Sequence, residues 1–182
     1  MLLIDIAFKH REIDFKFNAI VQRTKPESDL EANKQRIHTF TIGEPALADK
    51  LFWVLCGLDK NFTGTINGEG ICFNSSSFNN VLAIGDRSMF VHGTIERNIY
   101  KALRTRTDKK TAKQRTQEVL RLYDIERLAK LKPIHLEDDE LVTVAFARAH
   151  FRKIGLVVYK KMSQTTEIDL RKFNDAYIIV IE

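Results

Sequence analysis

Strand patterns stand at both ends of this chain and helical patterns fill its middle, which limits the folds open to it. Leu2–Phe8 and Ile13–Val21 read as strands, the second with Ile13, Phe15 and Phe17 alternating against polar neighbours. Ile37–Ile42 alternates again and ends at Gly43. Val81–Ile84, Gly155–Tyr159 and Ala176–Ile181 are short apolar runs of the kind buried within a sheet. Leu47–Leu58, Thr94–Leu103, Thr111–Tyr123 and Glu137–His150 have helical spacing, and the last opens with an acidic first turn that suits a helix N-terminus. Phe62–Gly68 reads as turn chemistry leading into a short strand, Ile71–Phe73. Gln22–Arg36 and Asn74–Asn80 read as polar loops, and Ile168–Phe173 as a short helix. The pattern predicts a mixed α/β layer fold with a helical insert.

Composition narrows the class. With 182 residues, 44% of them apolar, the chain suits one globular domain with a substantial core. No apolar run approaches the roughly 20 residues of a membrane span, and the opening Met-Leu-Leu-Ile-Asp-Ile lacks the basic start of a signal peptide. Cys56 and Cys72 sit among apolar neighbours and read as buried thiols, with no metal spacing around them. Trp53, in an apolar helical stretch, reads as core.

Net charge is +5 and unevenly spread. Lys101, Arg104, Arg106, Lys109, Lys110, Lys113, Arg115 and Arg121 face only Asp108 and Glu118 between positions 101 and 121. A solvated helical face explains this, and so does a patch for anionic lipid, an acidic partner or nucleic acid. Only Tyr100 and Tyr123 interleave with the basic residues, so a base-stacking surface is not favoured.

Two stretches are specific. Val91-His92-Gly93-Thr94-Ile95-Glu96-Arg97-Asn98-Ile99 resembles the run after the glutamine loop of ATP-binding-cassette (ABC) ATPase domains, and Leu136–Glu140 with Val144–Ala149 resembles that family's signature and its helix. Ile42-Gly43 followed by a helix ending Leu55-Cys56-Gly57-Leu58 is similar to the phosphate-loop strand–loop–helix, and Thr63-Gly64-Thr65-Ile66 to the turn after it. The likeness runs from Ile37 to Arg152 and is thin on either side. It implies an ABC ATPase, P-loop NTPase-like core with a mixed sheet and a helical subdomain. The β-rich core would lie at 1–85 and 151–182, the helical subdomain at about 94–150, and the C-terminal part would be shortened.

At the positions where that family handles phosphate and magnesium, the residues differ. A phosphate loop needs glycines, a Lys and a hydroxyl. Counting from Gly43, Asp49 falls on the Lys position and Lys50 on the hydroxyl position, and Pro45 has no N–H to offer. Counting back from Gly57 shifts the register by one. Asp86 falls where the family has Gln, and Glu137, Asp138 and Asp139 replace Ser-Gly-Gly in the signature. Lys160 and Lys161 stand where the Walker B strand ends in Asp and Glu, although Leu156–Tyr159 also suits the strand preceding the His switch, for which no His remains. His10 is the nearest candidate for the aromatic that stacks on adenine, and reads better as a surface residue.

The resemblance, with these departures, leads to the expectation of a degenerate ATPase: not an enzyme, holding no cofactor, with a structural or regulatory role in an ABC transporter or a related membrane complex. Its partners would be an intact ABC ATPase subunit, a membrane-spanning subunit, or both, with Arg87, Met89 and Phe90 lining the groove that receives a coupling helix. Met89 and Phe90 serve equally well as core residues. The location expected is cytoplasmic, peripheral to a membrane through those subunits. An atypical nucleotide-binding protein using Lys50, and a basic module for nucleic acid or lipid, are the alternatives.

Overall fold

The computed structural model describes residues 1–22, 37–68, 71–72, 80–85, 89–161 and 176–182. The expected loop after Gln22, most of the loop before Asn80 and the expected helix Ile168–Phe173 lie outside the described residues, as do Asp86 and Arg87. Contact clustering divides the chain into two compact units.

The first unit holds two sheets. β1 (Leu2–His10) pairs antiparallel with β2 (Ile13–Val21) on one side and with β4 (Thr63–Gly68) on the other, and β4 continues into β5 (Ile71–Cys72), giving the order β2-β1-β4-β5. β1 shows period-2 burial: Leu2, Ile4, Ile6 and Phe8 point inward at 5% exposure or less. Each such side chain contributes roughly 1.5–3 kcal/mol when fully buried. In β2, Phe17 and Val21 are buried while Ile13 stays 41% exposed, so the alternation read from Ile13 reaches the core only at its far end.

The second sheet has the order β3-β8-β7-β6, from β3 (Ile37–Phe40), β8 (Tyr177–Ile181), β7 (Leu156–Lys160) and β6 (Val81–Ile84). β3 and β7 each pair parallel with β8. β7 and β8 are buried along nearly their whole length, as the continuous apolar runs require of central parallel strands.

Helix α1 (Pro45–Leu55) packs on β7 and β1 and buries Leu47, Leu51, Phe52, Val54 and Leu55. It starts two residues before the sequence suggests, because Pro45 is pre-set for a first helical turn. It ends earlier too: Gly57 takes φ 71°, Leu58 N–H donates to Trp53 O at 2.9 Å, and Gly57 N–H to Val54 O at 2.9 Å, a Schellman stop. Trp53 is half-buried, edge-on to Phe52, rather than core. Cys56 is buried, and burial pushes its thiol pKa upward.

One element differs in kind. Thr63–Gly68, expected as a turn, is the strand β4. Gly64 keeps a turn-like φ of 104°, and a Cβ there would run into the Asp5 carbonyl, so close pairing with β1 selects glycine at this position.

The second unit is helical. α2 (Ile95–Arg104), α3 (Lys109–Leu122) and α4 (Asp138–Ala149) enclose Ile95, Ile99, Leu103, Val119, Leu120, Leu136 and Val144. Short 3-10 turns at Glu126–Leu128 and Pro133–His135 join α3 to α4. Thr94 Oγ1 accepts from Arg97 N–H at 3.3 Å, and Asp108 accepts from Lys110 and Thr111 N–H at 2.8 and 3.1 Å, so both helices begin at a side-chain cap. Asn98, 1% exposed, clasps the segment before α2: Val91 N–H donates to its Oδ1 at 2.8 Å, and its Nδ2 donates to Val91 O at 3.0 Å and Thr94 O at 2.9 Å. Among the described residues, no helix is long and apolar enough to cross a membrane.

Candidate functional site

In the first unit the sequence-predicted positions gather at the N-terminal half of α1 and the end of β7. Gly43 lies in the link between β3 and α1, and a Cβ added there meets nothing within 4 Å. Glu44 is the N-cap of α1 and makes no side-chain cap bond, while its carbonyl accepts from Leu47 and Ala48 N–H at 3.1 Å each. The helix start therefore presents a carboxylate and a proline where a phosphate cradle needs free N–H groups.

Asp49 and Lys160 form an ion pair between α1 and β7. They are the two residues that the resemblance sets at the Lys position of the phosphate loop and the Asp position of the Walker B strand, with both charges reversed. Lys50 does not point to a shared site with Asp49. Its Nζ pairs with Asp59, beyond the C-terminus of α1, and lies 5.8 Å from the Phe8 ring centroid. Asp59 also accepts from Asn61 N–H at 2.8 Å. Partial burial pushes the Asp59 pKa up, but the Lys50 hydrogen bond, the Asn61 N–H and the Lys50 charge outweigh it and hold it below the usual value. Lys161 Nζ pairs with Glu182 at 2.7 Å, next to where Glu182 N–H meets Phe40 O at 2.9 Å. Each of the three lysines thus has a carboxylate of its own.

The Asp59 shift has a testable sign. A lowered folded-state pKa means stability that is present above the unfolded value of about 3.9 and is lost as pH falls through the folded value. Acid titration of unfolding is expected to show this loss below about pH 4, and the Asp59→Asn variant to be less stable at neutral pH with a shallower decline in acid. An unchanged acid profile in that variant would remove Asp59 from the account.

Sequence reasoning missed Asp59, whose role depends on the Gly57 stop that swings the chain back toward Lys50. It also missed a cleft of about 430 Å³ lined by Phe8, Phe15, Phe62, Lys9, Lys16 and Lys60 at the open end of the first sheet. Phe8 and Phe15 stack there at 4.9 Å. His10, read as a surface residue, is half-buried, and its Nε2 has no hydrogen-bond partner among the described residues.

In the second unit, Glu137 is the N-cap of α4, and its N–H donates to Glu140 Oε2 at 3.0 Å in a capping box. Asp138 and Asp139 occupy the first turn, and Arg127 pairs with Glu140 at 2.7 Å. Glu137, Asp138, Asp139 and Glu140 serve the helix start. Met89 and Phe90 are half-buried, and Phe90 packs against the helical core. Arg148 lies 4.7 Å from the Phe90 ring centroid and donates to Met89 O at 3.2 Å. Burial lowers the Arg148 pKa to about 10, with help from the Arg152 charge.

Lys50, Lys160 and Lys161 each carry an internal carboxylate partner, and no group of three or more His, Cys, Asp or Glu side chains occurs together among the described residues.

With this geometry in place, the fold is that of an ABC ATPase domain, P-loop NTPase-like. A bacterial ABC transporter cassette, solved as a dimer, matches with a TM-score of 0.68 at 13% identity over 100% of this chain and 87% of that one. The same cassette in a post-hydrolysis state bound to ADP and Pi matches with a TM-score of 0.63 at 14% identity over 100% and 87%. The cbiO1 protein from Clostridium perfringens, part of the ABC transporter complex cbiONQ, matches with a TM-score of 0.65 at 13% identity over 99% and 77%. No protein-family model matches the sequence, and no curated protein matches it.

These neighbours correct one expectation. The sequence led to a protein that is not an enzyme. The architecture it shares is that of ATP-binding cassettes, one of them captured after hydrolysis with its products, so the likeness points toward an enzyme fold and not away from one.

Proposed function

We propose that the chain is a cassette-type subunit of an ABC transporter or a related membrane-associated complex, with a structural or regulatory role in that assembly. It would sit on the cytoplasmic side, peripheral to the membrane, held there by an intact ABC ATPase subunit, a membrane-spanning subunit, or both. The observation that carries this reading is the Asp49–Lys160 pair. This chain matches a solved cassette over its whole length, and the two positions that the resemblance assigns to phosphate and metal carry charges that pair with each other.

Nucleotide engagement in the isolated chain would require both the Asp49–Lys160 and Lys50–Asp59 pairs to open. That cost falls on binding, and a partner that opened the pairs would lower it. Met89 and Phe90 would offer the partner a contact already fixed from behind by Arg148.

The test joins two measurements on the full chain. Thermal unfolding with and without millimolar MgATP is expected to show no shift, whereas a ligand at 100 times its Kd would stabilise by about 2.7 kcal/mol. Affinity capture from a membrane fraction of the source cells is expected to recover a membrane-spanning or cassette protein. A rise of several degrees with MgATP, abolished by Lys50→Ala, would overturn this reading in favour of a nucleotide-binding protein that uses Lys50.

A further inference from the structure

The α2–α3 pair carries an excess of exposed cations over the exposed Asp108 and Glu118, which the transport reading does not use. On α2, Arg97, Lys101 and Arg104 recur at i, i+4 and i+7, and all three are exposed. On α3, Lys110, Lys113 and Arg121 form a second stripe through Gln117, with Lys109 beside it, again all exposed. Gln117 Nε2 donates to Glu96 Oε1 at 2.7 Å, which sets the α3 stripe next to the first turn of α2. Arg121 pairs with Glu126 at 3.4 Å. Arg97, Lys101, Arg104, Lys109, Lys110 and Lys113 have no carboxylate partner among the described residues.

A short segment after α3 adds a different chemistry beside these stripes. Ile95 and Glu96 N–H groups donate to Leu131 O and Ala129 O at 2.9 Å each, so this segment is bound to the start of α2. Leu131 is 38% exposed and Ile134 72% exposed, and the exposed Lys130 and Lys132 flank Leu131. Leu122, at the end of α3, is 61% exposed. Aliphatic side chains held outward among lysines suit the boundary between headgroups and acyl chains, where the cation meets phosphate and the branched tip leaves water. A duplex backbone would make no use of Leu131 or Ile134, and no fully exposed aromatic residue is present among them to stack on bases.

We propose that the α2–α3 basic face and the Lys130–Ile134 segment form a docking surface for an anionic lipid bilayer. The lysines and arginines supply attraction, and Leu131 and Ile134 supply shallow insertion. Binding of this kind does not depend on the transport role, and would bring the chain to a membrane without its partner subunits.

The test is co-sedimentation of the full chain with vesicles of phosphatidylcholine, with or without phosphatidylglycerol as about one-third of the lipid. Binding is expected only to the anionic vesicles and to fall as salt rises. The Lys109→Gln/Lys110→Gln/Lys113→Gln variant is expected to bind roughly a hundredfold more weakly, each lysine near the surface being worth about a factor of five. These side chains are exposed, and an unchanged thermal midpoint checks that folding is intact. The Leu131→Ser/Ile134→Ser variant is expected to lose the binding that survives at high salt. Failure to bind anionic vesicles, undiminished binding by the triple variant, or capture of a DNA duplex in place of vesicles would each overturn the proposal.

Discussion

The Asp49→Lys variant is expected to unfold several degrees below the wild-type chain, and the Asp49→Lys/Lys160→Asp double variant to recover most of that loss. The single change sets two ammonium groups against each other, at positions 49 and 160. Two like charges 4 Å apart repel by about 4 kcal/mol at an effective dielectric near 20. Asp49 is 49% exposed and Lys160 29%, so solvent screens the interaction strongly. A realistic loss is about 1–2 kcal/mol, or roughly 2–8 °C for a chain of this length. Restoring opposite signs in the reverse order restores the attraction between the same two positions. Thermal midpoints of the four variants form a double-mutant cycle, and a coupling near zero would mean that the two side chains do not pair in solution. The double variant also carries the charges that the cassette resemblance assigns to these positions, so MgATP can be tested on it directly.

The Asn98→Leu variant is expected to lose about 1–2 kcal/mol, because it removes the buried side chain that bonds both backbone groups of the exposed Val91. Asn98 satisfies both the N–H and the C=O of Val91, while Thr94 O would still keep the Asn98 backbone N–H at 3.0 Å. Leucine fills similar volume but offers no hydrogen bond, so the loss reports on the clasp more than on a cavity. The segment from Met89 to Gly93 would then be held mainly by Arg148 at Met89 O. Amide exchange at Val91 is the direct readout. Protection there that survives the substitution would show that Asn98 is not what holds the segment.

Much of the fold is legible in the chain because its signals are local. The stretch Thr94–Ile99 carries its own cap and its own clasp, and Glu137–Glu140 writes its capping box in consecutive residues. Elements fixed by distant partners are harder to read. Thr63–Gly68 looks like a turn because Thr, Gly and Asn dominate it, yet it is held extended by pairing with β1, with Thr63 opposite Ala7 and Gly68 opposite Leu2. The candidate site divides in the same way. That Asp49 and Lys160 carry unexpected charges is visible in the sequence, but their pairing is not, since 111 residues separate them. Lys50 reads as a free cation for phosphate until α1 stops at Gly57 and brings Asp59 to it.

The position of β8 has a consequence for how the molecule is made. Its partners on either side were synthesised long before it: β3 about 140 residues earlier, and β7 about 20. Until residues 177–181 leave the ribosome, β3 and β7 have no strand between them, and two runs of apolar side chains wait unpaired. The helical unit, whose described contacts close within 84–152, can form while the chain is still growing. Assembly is therefore ordered from the middle outward, with the second sheet completed last. A partner that met the nascent chain would find the helical face ready before the sheet that carries Lys160 had closed.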